Sequence, residues 1–190
     1  MIKKTLIVAA LLAAGAAVQA AVVFSDNFDA NSPGLNAVPQ GWTLVSGSVD
    51  IIGTGLFDLL PGNGLYIDLD GTTNTGGLLS RNVALTGGTL YTASFDLAGS
   101  QRGDTNLVTA VFGTAAATYS LASANGFSTF SLSFTPTVSG SYALSFQNAG
   151  GDNVGALLDR VAVSAVPEPQ ALALLLAGLG IAAAAGRSRG

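Results

Sequence analysis

Gly64-Leu65-Tyr66-Ile67-Asp68-Leu69-Asp70-Gly71 decides the fold class. In an extended chain successive side chains point to opposite faces. Leu65, Ile67 and Leu69 therefore share one face, and Tyr66, Asp68 and Asp70 the other. Pro61-Gly62-Asn63-Gly64 ahead of it is turn chemistry, and Gly71 to Gly77 behind it is a polar loop. The stretch reads as one β-strand between two turns.

The same pattern recurs outward in both directions. Ala21 to Phe24 is a first strand. Trp42 to Ser46 and Ser48 to Ile52 are short strands expected to form a hairpin around Gly47. Leu78 to Leu85 is a strand, and Gly87-Gly88 turns the chain into Leu90 to Ala98. There Tyr91, Ala93, Phe95 and Leu97 share a face. Asn106 to Phe112, Thr118 to Leu121, the alternations around Phe130-Leu132-Phe134 and Tyr142-Leu144-Phe146, and Leu157 to Ser164 complete the series. No segment between Ala21 and Ala165 has a helical period with caps. Many short alternating strands predict an all-β, antiparallel β-sandwich, and nothing in the pattern demands closure into a barrel.

Composition narrows the chemistry. The body from Ala21 to Ala165 is long enough for one domain with its own core. It has no cysteine, histidine or lysine, and its basic residues are Arg81, Arg102 and Arg160. Ten aspartates face them, and Glu168, beyond the body, is the chain's one glutamate. So acidic a body does not bind nucleic acid through charge. Ser-His-Asp and Cys-His catalysis are impossible without those residues, and no phosphate-cradling GxxxxGK[ST] loop is present. A binding module, a structural protein and an all-aspartate hydrolase remain.

Both ends carry targeting signals. Residues 1–20 have Lys3 and Lys4, an apolar core from Leu6 to Val18, and Val18-Gln19-Ala20 before Ala21. This is the order of a secretory signal peptide, with Sec export and signal-peptidase cleavage expected between Ala20 and Ala21. Residues 166–190 open on Val166-Pro167-Glu168-Pro169, whose prolines fix an extended backbone and remove hydrogen-bond donors. An apolar run from Ala171 to Ala185 follows, a little short of the ~20 residues that span a bilayer comfortably. Arg187 and Arg189 close the chain on the side that retains positive charge. Proline-acid-proline motif, transmembrane helix and basic tail together resemble the PEP-CTERM sorting signal of Gram-negative exopolysaccharide producers. The resemblance implies an exosortase as partner. It further implies transient anchoring in the inner membrane, then release to the cell surface or extracellular matrix.

The body resembles galactose-binding-like jelly rolls, among them many carbohydrate-binding modules. The residues that carry the resemblance are Asn27-Phe28-Asp29 with Gly41-Trp42, the stretch from Gly64 to Gly71, and Leu157-Leu158-Asp159-Arg160-Val161-Ala162-Val163. It implies a jelly-roll sandwich that binds or packs into exopolysaccharide. The usual opening has Glu where Asp29 stands, and the usual close has a second acid where Arg160 stands.

Two groups of residues are candidate sites. Asp159 shares its parity with Leu157, Val161 and Val163, the expected core face, and an inward carboxylate is costly unless paired or metal-bound. The resemblance implies a structural calcium held by Asp159 and Asp29, with Asp26 nearby; oxygen donors suit that ion. Pairing of Asp159 with Arg81 or Arg160 is the alternative. The second group is a glycan-facing set of Tyr66, Asp68, Asp70, Asp96 and Arg102, with Tyr66 as an exposed ring among polar neighbours. Asp68 and Asp70 fall near the carboxylate spacing of inverting glycosidases, but acids from one strand lie side by side instead of flanking a bond. A binding module is the leading reading, ahead of a ligand-free biofilm-matrix protein and a glycosidase using Asp68, Asp70 or Asp96.

Overall fold

The structure, a computed structural model, describes residues 20–166. The expected signal peptide, the Pro167-Glu168-Pro169 segment and the transmembrane helix lie outside the described residues. Eleven strands and no helix make up the described chain. They are β1 (Ala21–Asp26), β2 (Thr43–Ser46), β3 (Asp50–Gly53), β4 (Leu65–Asp68), β5 (Leu78–Leu85), β6 (Tyr91–Ala98), β7 (Thr105–Phe112), β8 (Ala115–Ala122), β9 (Ser128–Phe134), β10 (Gly140–Asn148) and β11 (Leu157–Ala165).

Two antiparallel sheets stack face to face. One has the order β3-β4-β11-β6-β9, with β1 also paired to β11, and the other the order β2-β5-β10-β7-β8. Alternation explains the core between them. Ile67, Phe95, Leu158, Val161 and Val163 come from the first sheet, with Leu69 just beyond β4, and Leu79, Val108, Phe112, Leu144 and Phe146 from the second, all fully or nearly fully buried. The Phe95 and Phe146 rings meet edge to face at 4.9 Å across the layer. Trp42 packs on Phe28 and Phe146, and its Nε1 donates to Asp26 Oδ2 at 2.8 Å.

Three details differ from the sequence expectation. The expected hairpin around Gly47 does not form: β2 pairs with β5 in one sheet and β3 with β4 in the other. Leu44 and Ile51 both belong to the core but are supplied from opposite layers, so the chain crosses between them. Gly47, at φ +69°, is the crossing point, and a Cβ there would meet the carbonyls of Thr75 and Gly76.

The second difference is burial of both faces of β4. The loop from Thr54 to Gly64 folds back over the outer face of the first sheet. Leu59, Leu60 and Phe127 cover a small second cluster of Ile52, Tyr66, Ala98 and Leu157.

The third concerns Asp159. A β-bulge lies between Asp159 and Ala162, with Arg160 at φ +45°. Before it Leu158 faces the core, and after it Val161 and Val163 do. Asp159 therefore faces outward with Leu157, directly opposite Asp96. The extra residue of the bulge inverts the parity that simple alternation assigns. Asp159 is nonetheless 1% exposed.

Candidate functional site

Asp50 on β3 and Asp68 on β4 are cross-strand partners on the outer face of the first sheet. Beyond them opens a pocket of about 260 Å³. Its polar lining is Asp50, Asp68, Thr72, Arg102 and Asn153; its apolar wall is Leu35, Ile52, Phe57 and Leu59. Both oxygens of Asp50 are hydrogen-bonded. Its Oδ1 accepts from Asn36 N at 2.7 Å and Thr72 N at 3.3 Å, and its Oδ2 from Thr72 Oγ1 at 3.0 Å. Asp68 Oδ1 accepts from Asp70 N at 3.0 Å, and Oδ2 from Arg102 Nη2 at 2.5 Å. Burial pushes the Asp68 carboxyl up to about 6, against the pull of the Arg102 guanidinium.

Arg102 is aimed by two elements. Its Nη1 donates to Asn153 O at 2.9 Å, and its backbone N to Ser100 Oγ at 3.1 Å. The side chain keeps 31% of its surface open toward the pocket. The Asn153 loop is itself positioned over Asp70, which is wholly buried beneath it. Burial raises the Asp70 carboxyl, with the nearby amides of Asp152 and Asn153 opposing the rise, and neither of its oxygens makes a hydrogen bond.

Backbone strain concentrates here. Asn36, whose amide holds Asp50, lies at φ +50°, Phe57 at +47°, Gln101 at +60° and Asn153 at +63°. Asparagine tolerates this region, but for phenylalanine it is costly. Phe57 is also 63% exposed, so burial of its ring offsets none of that cost. Strained residues of this kind cluster at ligand clamps and switch regions.

The expected glycan face divides into three parts. Asp68 and Arg102 come together in the pocket. Tyr66 does not present an exposed ring: it is fully buried against Phe127, its OH accepting from Leu60 N at 2.9 Å and donating to Asp58 Oδ1 at 3.2 Å. Asp70 turns away under the Asn153 loop, and Asp96 lies elsewhere on the sheet, bound by Arg160 Nε at 2.6 Å and Thr129 Oγ1 at 2.6 Å. Sequence reasoning missed Asp50, Phe57, Leu35, Thr72 and Asn153. One signal was available: Phe57 is an aromatic ring inside the turn-rich run Gly53-Thr54-Gly55-Leu56-Phe57-Asp58, where no core position is expected.

At the bulge, Asp159 Oδ1 accepts from Arg160 N at 2.6 Å, and Oδ2 lies 3.3 Å from Arg160 Nη1 without a hydrogen-bond partner. Burial raises the Asp159 carboxyl to about 6, with Asp29 and Asp96 adding to the rise and Arg160 opposing it. Asp29 accepts from Leu65 N at 2.8 Å and Asn27 Nδ2 at 2.6 Å. Asp26 is committed to Phe28 N and Trp42 Nε1. Among the described residues no three acidic, histidine or cysteine side chains converge as a metal group. The oxygen left without a partner here is the buried Asp159 Oδ2; Asp29, like Asp26, already accepts two hydrogen bonds, and carboxylate oxygens suit calcium chemically.

Residues 165–189 match the PEP-CTERM protein-sorting motif. This chain carries a PEP-CTERM sorting signal. The motif begins where β11 ends, at Ala165, and Val166 N still donates to Leu90 O at 2.8 Å. It marks the chain as an exported protein sorted to the cell surface, with processing by an exosortase. No curated protein matches the sequence. Among solved structures the body is similar to the CBM22-1 xylan-binding domain of Paenibacillus barcinonensis Xyn10C. The TM-score is 0.58 at 14% identity, over 81% of this chain and 100% of that one. The tandem CBM22-1–CBM22-2 domain of the same protein gives 0.52 at 16% identity, over 82% of this chain and 48% of that one. The CBM22-1–GH10 modules of Clostridium thermocellum Xyn10B, complexed with xylohexaose, give 0.50 at 13%, over 80% and 30%. The fold of the body carrying the PEP-CTERM signal resembles the jelly rolls of carbohydrate-binding modules.

Proposed function

We propose that this exported PEP-CTERM protein is a carbohydrate-binding surface protein. Its pocket at Asp50, Asp68, Arg102 and Phe57 takes a short or terminal stretch of exopolysaccharide. One observation carries the reading: an exposed ring held in a strained conformation stands beside two carboxylates and a guanidinium on the outer face of a jelly-roll sheet. An aromatic face receives the C–H side of a sugar ring, and the charged groups receive its hydroxyls. The neighbouring sheet surface is plugged by Leu59, Leu60 and Phe127 over Tyr66 and Leu157. A long chain therefore has no continuous groove across that part of the face, which favours a chain end or a short segment. The alternatives are a matrix protein without a defined ligand and an aspartate glycosidase. Asp50 and Asp68 are both engaged by structural hydrogen bonds, which favours binding over turnover.

The test is a glycan array on the purified protein, xylo-oligosaccharides and acidic and neutral exopolysaccharide fragments included, followed by titration of any hit against Phe57→Ala. A hit weakened about tenfold or more supports the pocket; stacking of one ring is worth roughly 1–2 kcal/mol. Array silence favours the matrix protein, and release of reducing sugar favours the glycosidase.

We further propose a structural calcium at Asp29 and Asp159. The orphaned Asp159 oxygen supports it, and of the two N-terminal acids Asp29 is the one whose charge reaches Asp159. The ion would neutralise the acid cluster that Arg160 otherwise neutralises alone.

A further inference from the structure

From Thr105 to Gly151 the chain carries no charged residue, although ten aspartates and three arginines are spread through the rest of the body. That interval supplies β7, β8, β9 and β10. In the second sheet the one charge is Arg81 on β5, which turns inward over the Phe24 ring. The outer surface at the β8 end of that sheet is therefore neutral. Ala116, Thr118, Ser120 and Ala122 of β8 are exposed, beside Thr105 and Leu107 of β7.

β8 is also the sheet's edge. It runs eight residues in unbroken register against β7, from Ala115↔Phe112 to Ala122↔Thr105. Among the described residues nothing pairs with its other side. An edge strand presents unmatched N–H and C=O groups, and proteins normally blunt it with brevity, bulges, proline, lysine or a cover. Two other edges show such devices. β2 has four residues and a bulge. β3 has four and is bridged by Gly34, whose N and O both bond Ile51. β9 is seven residues in unbroken register, but the row beside it carries the charge of Asp96 on β6, which its Thr129 binds. β8 has none of them: it is long, regular, neutral and free of proline.

We propose that β8 is a self-assembly edge. Two copies join β8 to β8, antiparallel about a two-fold axis, and fuse their five-stranded sheets into one continuous sheet. The charge distribution selects a second copy as occupant. Two molecules of so acidic a body repel each other across most of their surface, and β8 is the extended edge along which they can meet without opposing carboxylates. A basic partner would be drawn instead to the aspartate-rich parts. The Thr109–Thr118 hydroxyl contact, at 3.0 Å, already runs across the outer row that such a sheet would extend. This proposal is independent of what the pocket binds.

The natural absence of cysteine makes the test direct. The full chain, expressed with its own targeting segments, receives one cysteine at a time by Ala116→Cys, Thr118→Cys or Ser120→Cys, with Asn82→Cys on the exposed face of β5 as control. Cells are treated with a mild oxidant that couples two thiols to a disulfide, and products are separated without reductant. The expected result is a disulfide-linked species of twice the chain mass from at least one β8 position, at least tenfold above the Asn82→Cys level. Adding Ser120→Lys to Thr118→Cys should abolish it while the far-ultraviolet circular dichroism stays unchanged. Equal yield from β5 and β8, no dimer from any β8 position, or adducts of other masses that betray a different partner would each overturn the proposal.

Discussion

Phe57 and Asp68 show how single residues carry the site. Phe57 is a ring at positive φ with most of its surface open. Phe57→Gly should leave thermal stability unchanged or raise it by up to about 1 kcal/mol, since glycine adopts that conformation freely. The same change should weaken glycan binding about tenfold or more. Denaturant melts and titration on one sample separate the two effects. Asp68 and Asp159 are buried acids whose carboxyls stand near 6, above the ordinary 3.8. The native state therefore binds protons more tightly than the unfolded chain between those values, and stability falls as pH rises from about 4 to about 6. In chelator, the melting midpoint should be higher at pH 4.5 than at pH 7, by an amount reflecting on the order of 2 kcal/mol per group. Arg102→Ala should steepen that dependence, because Asp68 then loses the cation that lowers its pKa. A flat or rising profile from pH 4.5 to 7 would contradict this account.

At the level of elements, strand existence was legible and strand partnership was not. The alternation in Leu65 to Asp70 and in Tyr91 to Leu97 located β4 and β6 and their core faces, because period-two burial is a local property. Partner choice for β2 and β3 depends on which layer each apolar face must fill, which no local pattern states. The bulge at Arg160 was equally invisible, since Leu157 to Val163 alternates well enough to suggest an unbroken strand. Hence Asp68 and Arg102 were found, while Asp50 and Phe57, set by the crossover and the covering loop, were missed. The crossover itself is testable. Gly47→Ala places a Cβ against two backbone carbonyls at φ +69°, and should cost about 1–3 kcal/mol, read as a drop in melting midpoint. The joint between β1, the Asp29 turn and β11 is testable through calcium. If the ion binds there, calcium at 100-fold over Kd should add about 2.7 kcal/mol and raise the midpoint by roughly 5–11 °C. Asp159→Asn should remove that response. An unchanged wild-type midpoint with and without chelator leaves Arg160 as the sole counter-charge.

For the whole molecule, the sorting signal is the part read most directly from sequence, because proline, an isolated glutamate and a basic tail act through composition and order and need no tertiary context. Replacing Pro167, Glu168 and Pro169 together by alanine should block C-terminal trimming and surface delivery, followed by immunoblot of cell fractions from the native host. Unaltered trimming and delivery would show that the segment is not what the processing enzyme reads. The attachment of this signal to β11 has a mechanical consequence. β11 is an interior strand, bonded to β6 and to β4 and β1, and its last residue pairs with both Tyr91 and Ala21. A body held through Val166 while its pocket grips a polymer under flow is loaded along the length of β11. Its ladders on both sides are then strained together in shear, whereas an edge strand so attached would hold through one ladder alone.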